Sequence, residues 1–174
     1  MATLIIIGAL VDRLKAAFPD MAVEYFPDKP DEYRLNHPKG ALLVSYLGAK
    51  YQTPVDTTMV VQDATVKFSV TAQLRQLNGG DGAVAVLTRL RLALLGFKPP
   101  DCRRKVWAVA EHFLGEKAGI WQYALDVATE TVAVEDLDAA DGPPLVHITT
   151  VGGMARTEIQ KAPDGSIIKE EFPV

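Results

Sequence analysis

Apolar residues recur at helical spacing near the start of the chain, with charged residues between them. This pattern predicts an amphipathic helix over residues 3–18, with Thr3 as its N-cap. Pro19 follows and stops the helix, because proline has no backbone N–H to donate. The apolar stripe consists of Ile7, Leu10, Val11, Leu14 and Phe18.

A second apolar stripe follows the glycine-rich turn at residues 79–82 and predicts a second helix, with Asp81 as its N-cap. Gly96 and Pro99 end this helix. Few charges interrupt the stripe, so we expect the helix to lie flat on a sheet. The stripe consists of Ala83, Val86, Leu87, Leu90, Ala93 and Leu94.

Strict alternation of apolar and polar residues predicts a half-buried strand within residues 57–76. One face carries Val66, Phe68, Val70, Ala72 and Leu74, and the other carries Lys67, Ser69, Thr71, Gln73 and Arg75. Fully extended, the whole segment would span on the order of 65 Å, too long for a compact domain. We therefore expect a long β-hairpin arm around residues 51–63. Further strands are predicted at residues 21–26, 41–47, 106–113 and 120–134.

The order of these elements predicts an α+β fold, a mainly antiparallel β-sheet with two helices packed on one face. This domain is expected to cover residues 1–135. An acidic, Gly- and Pro-rich segment follows it, and we call its start, residues 135–141, the acidic connector. Extra C-terminal β-strands are predicted at residues 145–151, 155–161 and 166–172. Residues 136–174 are thus expected to form a β-rich extension on or beside the first domain.

Composition narrows the class of protein. A chain of 174 residues with 48% hydrophobic and 23% charged residues is typical of a folded globule. Cys102 is the only cysteine, which excludes an internal disulfide and a cysteine-based zinc cluster. The net charge of −4 gives no general reason to bind nucleic acid or an anionic membrane, so neither partner is expected.

The first residues of the chain indicate where in the cell the protein is expected. The apolar run over residues 4–11 is far shorter than the roughly 18 residues that a membrane span requires. No Lys or Arg precedes this run, and Asp12 and Arg13 follow it directly, which does not fit a signal peptide. We therefore expect the protein in the cytoplasm of the cell that makes it.

Groups that would carry catalysis do not converge in the sequence. The glycines at residues 79–82 lack the Lys-Ser/Thr of a phosphate-binding loop, and there is no Gly-x-Ser-x-Gly motif. We predict no cofactor, no metal and no enzyme activity. The competing hypothesis is a small hydrolase or ligand-binding enzyme with a site assembled from scattered residues such as Glu111, His112 and Asp126.

Two charged patches of opposite sign are candidates for an interface. Lys98, Arg103, Arg104 and Lys105 lie in a segment of eight residues, which we call the basic turn. Glu135, Asp136 and Asp138 lie in the acidic connector. Such a pair can steer the encounter of identical copies and set the register of a head-to-tail contact. The alternative, ordinary solvated loop charges, stays open at this point.

Two segments carry a family resemblance. Residues 94–100, Leu-Leu-Gly-Phe-Lys-Pro-Pro, close the second helix, and residues 119–123, Gly-Ile-Trp-Gln-Tyr, open the last core strand. In their joint order with the other elements over about residues 1–135, they resemble the Mu-like prophage family of phage tail terminator or tail-completion proteins. The residues after Asp136 depart from the compact pattern of that family.

The resemblance implies a structural protein with the fold of the lambda tail terminator. Such a protein forms a homo-oligomeric ring, usually of six copies, on the head-proximal end of the tail tube, stops tube polymerisation and provides the head-joining surface. Its partners would be itself, the tail tube protein and a head-completion or connector protein, and it would end in the virion tail. We expect contacts in the arm, at Tyr51 and Asp56, in the basic turn and in the acidic connector. A different tail connector or a baseplate component is the alternative within this class.

Overall fold

Both helices predicted from the apolar stripes are present in the computed structural model. Helix α1 spans Thr3–Ala17 and helix α2 spans Ala83–Leu94. The predicted N-cap of α2 is wrong. Gly82 is the N-cap residue, and a Cβ at this position would lie only 2.5 Å from the carbonyl oxygen of Asn78. The Asp81 carboxylate instead accepts a hydrogen bond from Lys39 Nζ at 3.4 Å.

The structure describes residues 3–54, 59–136, 145–151, 154–160 and 167–169. The chain divides into two units, Met1–Val134 and Glu135–Val174. The first unit contains α1, α2, a short 3₁₀ turn at Pro30–Glu32 and five strands. These strands are β1 (Ala22–Tyr25), β2 (Gly40–Tyr51), β3 (Val61–Leu74), β4 (Trp107–Lys117) and β5 (Ile120–Val134). Neither helix in the described ranges is long and apolar enough to cross a membrane.

The five strands form one sheet in the order β1-β2-β3-β5-β4. The β2–β3, β3–β5 and β4–β5 pairs are antiparallel, whereas β1 and β2 are parallel. A parallel pair needs a connection of a dozen or more residues, and residues 26–39 supply it. The predicted α+β fold with a mainly antiparallel sheet is confirmed.

The core lies between the sheet and the two helices. The predicted apolar face of β3 is completely buried, since Val66, Phe68, Val70, Ala72 and Leu74 are all 0% exposed. The stripes of both helices belong to the same buried cluster, so α1 and α2 cover one face of the sheet. The α1 residues in the cluster include Leu10, Leu14 and Phe18, and those of α2 include Leu87, Leu90 and Leu94.

The opposite face of the sheet is only partly polar. Ser69 and Thr71 were expected to face solvent, yet each is less than a tenth exposed. Leu35, in the connection between β1 and β2, lies in a small apolar cluster with Ala41 and Leu43 on this face. The β1–β2 connection therefore covers part of the face that no helix covers.

The predicted hairpin consists of β2 and β3, but its far end is three strands wide rather than two. The β2–β3 ladder reaches Tyr51 opposite Ala64, and β5 pairs with β3 as far as Val61 opposite Val134. Continuous support on both sides allows β3 to stay extended over 14 residues, about 46 Å. Asp56, in the loop between β2 and β3, lies outside the described residues.

The second unit contains the predicted C-terminal strands. They are β6 (Leu145–Val151), β7 (Met154–Gln160) and β8 (Ile167–Lys169). They form an antiparallel sheet in the order β6-β7-β8.

A charged cluster joins the two helices at the C-terminal end of α1. Arg89 of α2 donates to the Asp20 carboxylate at 3.0 Å and to the Ala17 carbonyl, and its guanidinium lies 4.3 Å from the centre of the Phe18 ring. Lys39 donates to the same carboxylate at 3.2 Å. The hydrogen bond from Arg89 is the main cause that lowers the pKa of Asp20 below its usual value of 3.8.

The lowered pKa of Asp20 makes stability depend on pH. Because the folded-state pKa lies below the unfolded one, the stabilisation is present above about pH 4 and is lost as the pH falls through the folded value. Asp20→Asn should lower the free energy of unfolding at neutral pH by less than about 1 kcal/mol, since the group is one-third exposed. Urea unfolding should show the difference from the wild type shrinking towards zero in acid. Asp12→Asn is the matched control, and an equal pH-dependent effect there would contradict the assignment.

Candidate assembly interface

The end of the sheet beyond helix α2, which we call the sheet end, is built from the last residues of β2 and β5 and the first of β3. The backbone N–H of Gln52 donates to the carbonyl of Asp63 at 2.8 Å, so the hairpin ladder continues past the last residue of β2. β5 runs alongside β3 to Val134. The loop that follows α2 supplies the fourth element of this end.

That loop contains the basic turn, and the chain places it along the edge of β5. Gly96 has a φ of +82°, which L side chains rarely adopt, and ends α2. The following prolines, Pro99 and Pro100, cannot continue a helix. Cys102 then forms an isolated antiparallel bridge with Thr131, so the basic turn continues the line of β4 along β5.

Several hydrogen bonds hold the basic turn on β5. The backbone N–H of Arg103 donates to the Glu130 carbonyl at 2.7 Å. The hydroxyl of Thr129 donates to the carbonyl of Arg104 at 2.8 Å, and that of Thr131 donates to the carbonyl of Asp101 at 2.7 Å. Both threonines are buried, which removes competing water. The backbone of the basic turn is therefore fixed on the sheet.

The four cations of the basic turn are all exposed, but they differ in their partners. Arg103 forms an ion pair with Asp63 of β3. Arg104 lies 3.5 Å from Glu130 of β5 and 5.4 Å from the centre of the Trp107 ring. Within the described part of the chain, Lys98 and Lys105 form no ion pair.

Asp63 and Glu130 were not predicted as partners of the basic turn. They are neighbours because β3 and β5 pair in a register that sets Asp63 opposite Val132 and Thr65 opposite Glu130. Only the register between distant strands brings the two acids beside one turn.

The other predicted interface residues lie at or after the sheet end. Tyr51, at the end of β2, is 47% exposed, and Val60 and Val134 are exposed to a similar extent. Glu135 and Asp136 follow Val134 directly, and Asp136 is exposed. Asp138 lies outside the described residues.

The structure brings together two of the three residues of the alternative enzyme hypothesis. His112 Nε2 lies 3.6 Å from Asp126 Oδ2 on the sheet face away from the helices. Glu111 points to the helix side, 3.7 Å from Arg91 of α2. Ser69 is opposite Asp126 in the β3–β5 ladder, whereas His112 lies on β4, on the other side of β5. In a Ser-His-Asp triad the histidine must lie between the serine and the acid, so this arrangement does not activate Ser69.

The remaining chemical groups among the residues that the structure describes are a buried thiol, scattered metal-ligand side chains and one groove. Burial raises the pKa of the Cys102 thiol above its usual value of 9.0, which disfavours the reactive thiolate. In the ranges that the structure describes, no three His, Cys, Asp or Glu side chains converge as metal ligands. A shallow groove of about 650 Å³ between α1 and residues 97–102 is lined by both signs of charge, including Asp12, Arg13 and Lys98.

Comparison with known proteins relates the chain to a protein family and to solved structures. The family model described as Gp37 protein matches residues 10–151. A chain of the solved structure described as "Virion of native gene transfer agent (GTA) particle" shares the fold, with a TM-score of 0.52 and 17% sequence identity. That similarity covers 76% of this chain and 98% of the other. No curated protein matches the chain.

Proposed function

The chain belongs to the Gp37 protein family, and from this membership we propose that it is a structural protein of a phage-type virion, acting as a tail terminator. The fold that it shares with a chain of a gene transfer agent virion supports the proposal. So does the resemblance of residues 94–100 and 119–123 to tail terminator proteins. In this role it assembles in the host cytoplasm and remains in the virion tail.

The sheet end is the observation that carries the proposal. Three adjacent strands and the basic turn present a broad exposed surface, in which Lys98 and Lys105 are exposed and Tyr51 adds an aromatic side chain. Hydrogen bonds between β5 and the basic turn fix the backbone that carries these charges. A fixed array of exposed charges suits a macromolecular partner better than a small molecule, which needs a concave site.

We infer that copies of the chain form a ring, about six in number as in the family that the sequence resembles. The basic turn of one copy would meet the acidic connector of the next, with Glu135, Asp136 and Asp138 as its acids. Opposite charges would steer the encounter and set its register. Lys98 and Lys105 are the best candidates for contacts with the acidic connector of the next copy, because Arg103 and Arg104 already have acidic partners within the chain.

Closure of the ring explains how such a protein ends a tail. A tube is an open, head-to-tail polymer whose last subunits always offer a free surface. A ring that binds this surface and satisfies its own contacts leaves no place for another tube subunit. Several contacts made by one ring act at high effective concentration, so each can be weak. The outer side of the ring then faces a head-completion or connector protein, and the process requires no covalent chemistry.

Deletion of the gene in a strain that produces particles tests the role. We expect electron microscopy to show tails of uncontrolled length or tails without heads, and a plasmid copy should restore joined virions. Joined virions of normal length in the deletion strain would overturn the proposal. Tubes of normal length with a block at another step would instead identify a different tail connector or a baseplate component.

A further inference from the structure

The large apolar side chains that remain exposed are not scattered over the first unit. Apart from those at the sheet end and Leu92 on the outer face of α2, the large apolar side chains exposed in the described chain fall on two sides of the sheet. The first side, which we call the β1 flank, carries Leu4, Ile5, Tyr25, Phe26, Tyr46 and Leu47. The second, which we call the β4 flank, carries Val84, Leu95, Val109, Phe113 and Leu114.

The β1 flank is formed where the start of α1 meets the edge of the sheet. Tyr25 pairs with Val44 in the β1–β2 ladder, and its hydroxyl lies beside Gly8 of α1. Leu4 and Ile5 occupy the preceding turn of that helix. β1 pairs with β2 only over residues 41–44, so Tyr46 and Leu47 extend past the edge strand.

The β4 flank lies at the opposite edge of the sheet. The ion pair between Arg91 and Glu111 turns one side of α2 towards β4, and Val84 and Leu95 lie on that side because they are seven residues before and four residues after Arg91. Phe113 packs against Tyr123, with ring centres 5.0 Å apart, and is still 55% exposed. The helix therefore leaves this part of β4 uncovered, since α2 packs mainly on β3 and β5.

Each flank is large enough to be half of a stable interface. A large apolar side chain presents on the order of 200 Å² when fully exposed, so the half-exposed residues of each flank offer roughly 500–600 Å². A standard interface buries about 800 Å² on each partner, of which about 60% is apolar. Patches of this size are at the upper end of what monomers expose and indicate an interaction site.

We propose that the β1 flank of one copy packs against the β4 flank of the next. This inference rests on the proposed function, because it names the partner surface that builds the ring. The two flanks are similar in apolar area and lie at opposite edges of one sheet, so a single kind of head-to-tail contact covers both. An open chain of copies would leave one flank bare at each end, and only a closed ring covers every flank.

The contact is made by side chains rather than by a continuous sheet. β4 has irregular register at Ala108/Ala110 and at Phe113/Gly115, and such bulges interrupt the row of backbone groups that another strand would need. Phe113 and Leu114 instead supply large exposed side chains for packing against the aromatic and aliphatic residues of the β1 flank. In the proposed contact, apolar packing supplies most of the buried area, and the charges of the basic turn set the register between neighbouring copies.

Single cysteines on the two flanks test this contact in the full chain. Leu47→Cys marks the β1 flank and Leu114→Cys marks the β4 flank, each with Cys102→Ala so that only the introduced thiol reacts. A short bismaleimide should cross-link a mixture of the two proteins into dimers, and neither protein alone. Lys29→Cys mixed with Leu114→Cys is the matched control and should remain uncross-linked. The same mixtures are tested with purified protein and in assembled particles.

Two results would overturn the proposal. One is a protein that cross-links to itself as efficiently as the mixture does, which would show a two-fold contact between identical flanks. The other is a mixture that fails to cross-link both in solution and in particles. That result would be expected if another partner or residues 135–174 occupied one of the flanks. If such variants still restore joined virions to the deletion strain, the flank contact is wrong and the tail role stands. Cross-linking without a deletion phenotype would show the reverse, that the flanks meet but the tail role is wrong.

Discussion

Replacing Phe68 with alanine is expected to lower the free energy of unfolding by about 3–5 kcal/mol. Phe68 is completely buried in the middle of β3, where it lies opposite Val127 of β5 and 5.8 Å from the ring of Tyr46 on β2. Its side chain is part of the cluster that both helices cover, so its loss leaves a cavity that the sheet cannot close by local movement. Urea unfolding followed by circular dichroism measures the change.

Phe113→Ala is the matched control for Phe68→Ala, because the same atoms are removed from an exposed position. Phe113 is 55% exposed and contacts Trp121 and Tyr123 at the surface, so we expect a loss below about 1.5 kcal/mol. The same substitution should weaken cross-linking between the two flanks. Equal destabilisation by both substitutions would show that the core is not centred on β3.

Reversing the charge of Lys98 and Lys105 together to glutamate is expected to reduce the yield of joined virions at least about a hundredfold. Each lost ion contact is worth only about 0.5 kcal/mol. Two contacts in each of about six copies would still sum to about 6 kcal/mol, which is about 10⁴ in an assembly constant. Complementation of the deletion strain, scored by virion titre and by electron microscopy, measures the effect.

The control for this charge reversal is Lys15→Glu combined with Lys117→Glu. Both of these lysines are exposed and lie away from the basic turn, so the net charge changes equally. Arg103 and Arg104 are left in place, because their replacement would also remove ion pairs with Asp63 and Glu130 inside the chain. Normal virion titres for the Lys98 and Lys105 variant, or an equal loss of titre in both double variants, would show that the basic turn is not part of the interface.

The sequence predicted much of the fold because local patterns report burial. Alternation in β3 identified Val66 and Phe68 as core residues, and helical spacing identified the buried face of α1. The same patterns misplaced Ser69 and Thr71, which alternation assigns to solvent but which are buried. The N-cap of α2 was also misplaced, since steric crowding by Asn78 required a glycine at that position.

The interface was harder to predict than the fold. A run of cations is visible in the sequence as the basic turn, but the pairing of Arg103 with Asp63 depends on two strands that are distant in the chain. The two flanks give no contiguous signal, since the residues of the β4 flank come from both α2 and β4. The exposed Val84 on α2 does not by itself indicate that β4 lies beside it.

By itself, the sequence determined the buried stripe of each helix, the apolar face of β3, where the helices end, and that the chain forms an α+β domain followed by further strands. These properties follow from the hydrophobic effect and backbone chemistry acting over a few neighbouring residues. Only the tertiary structure decided the strand order, the parallel β1–β2 pair, the placement of the basic turn on β5, and the two flanks at opposite edges of the sheet. Those features depend on register and packing between distant segments, which no local pattern records.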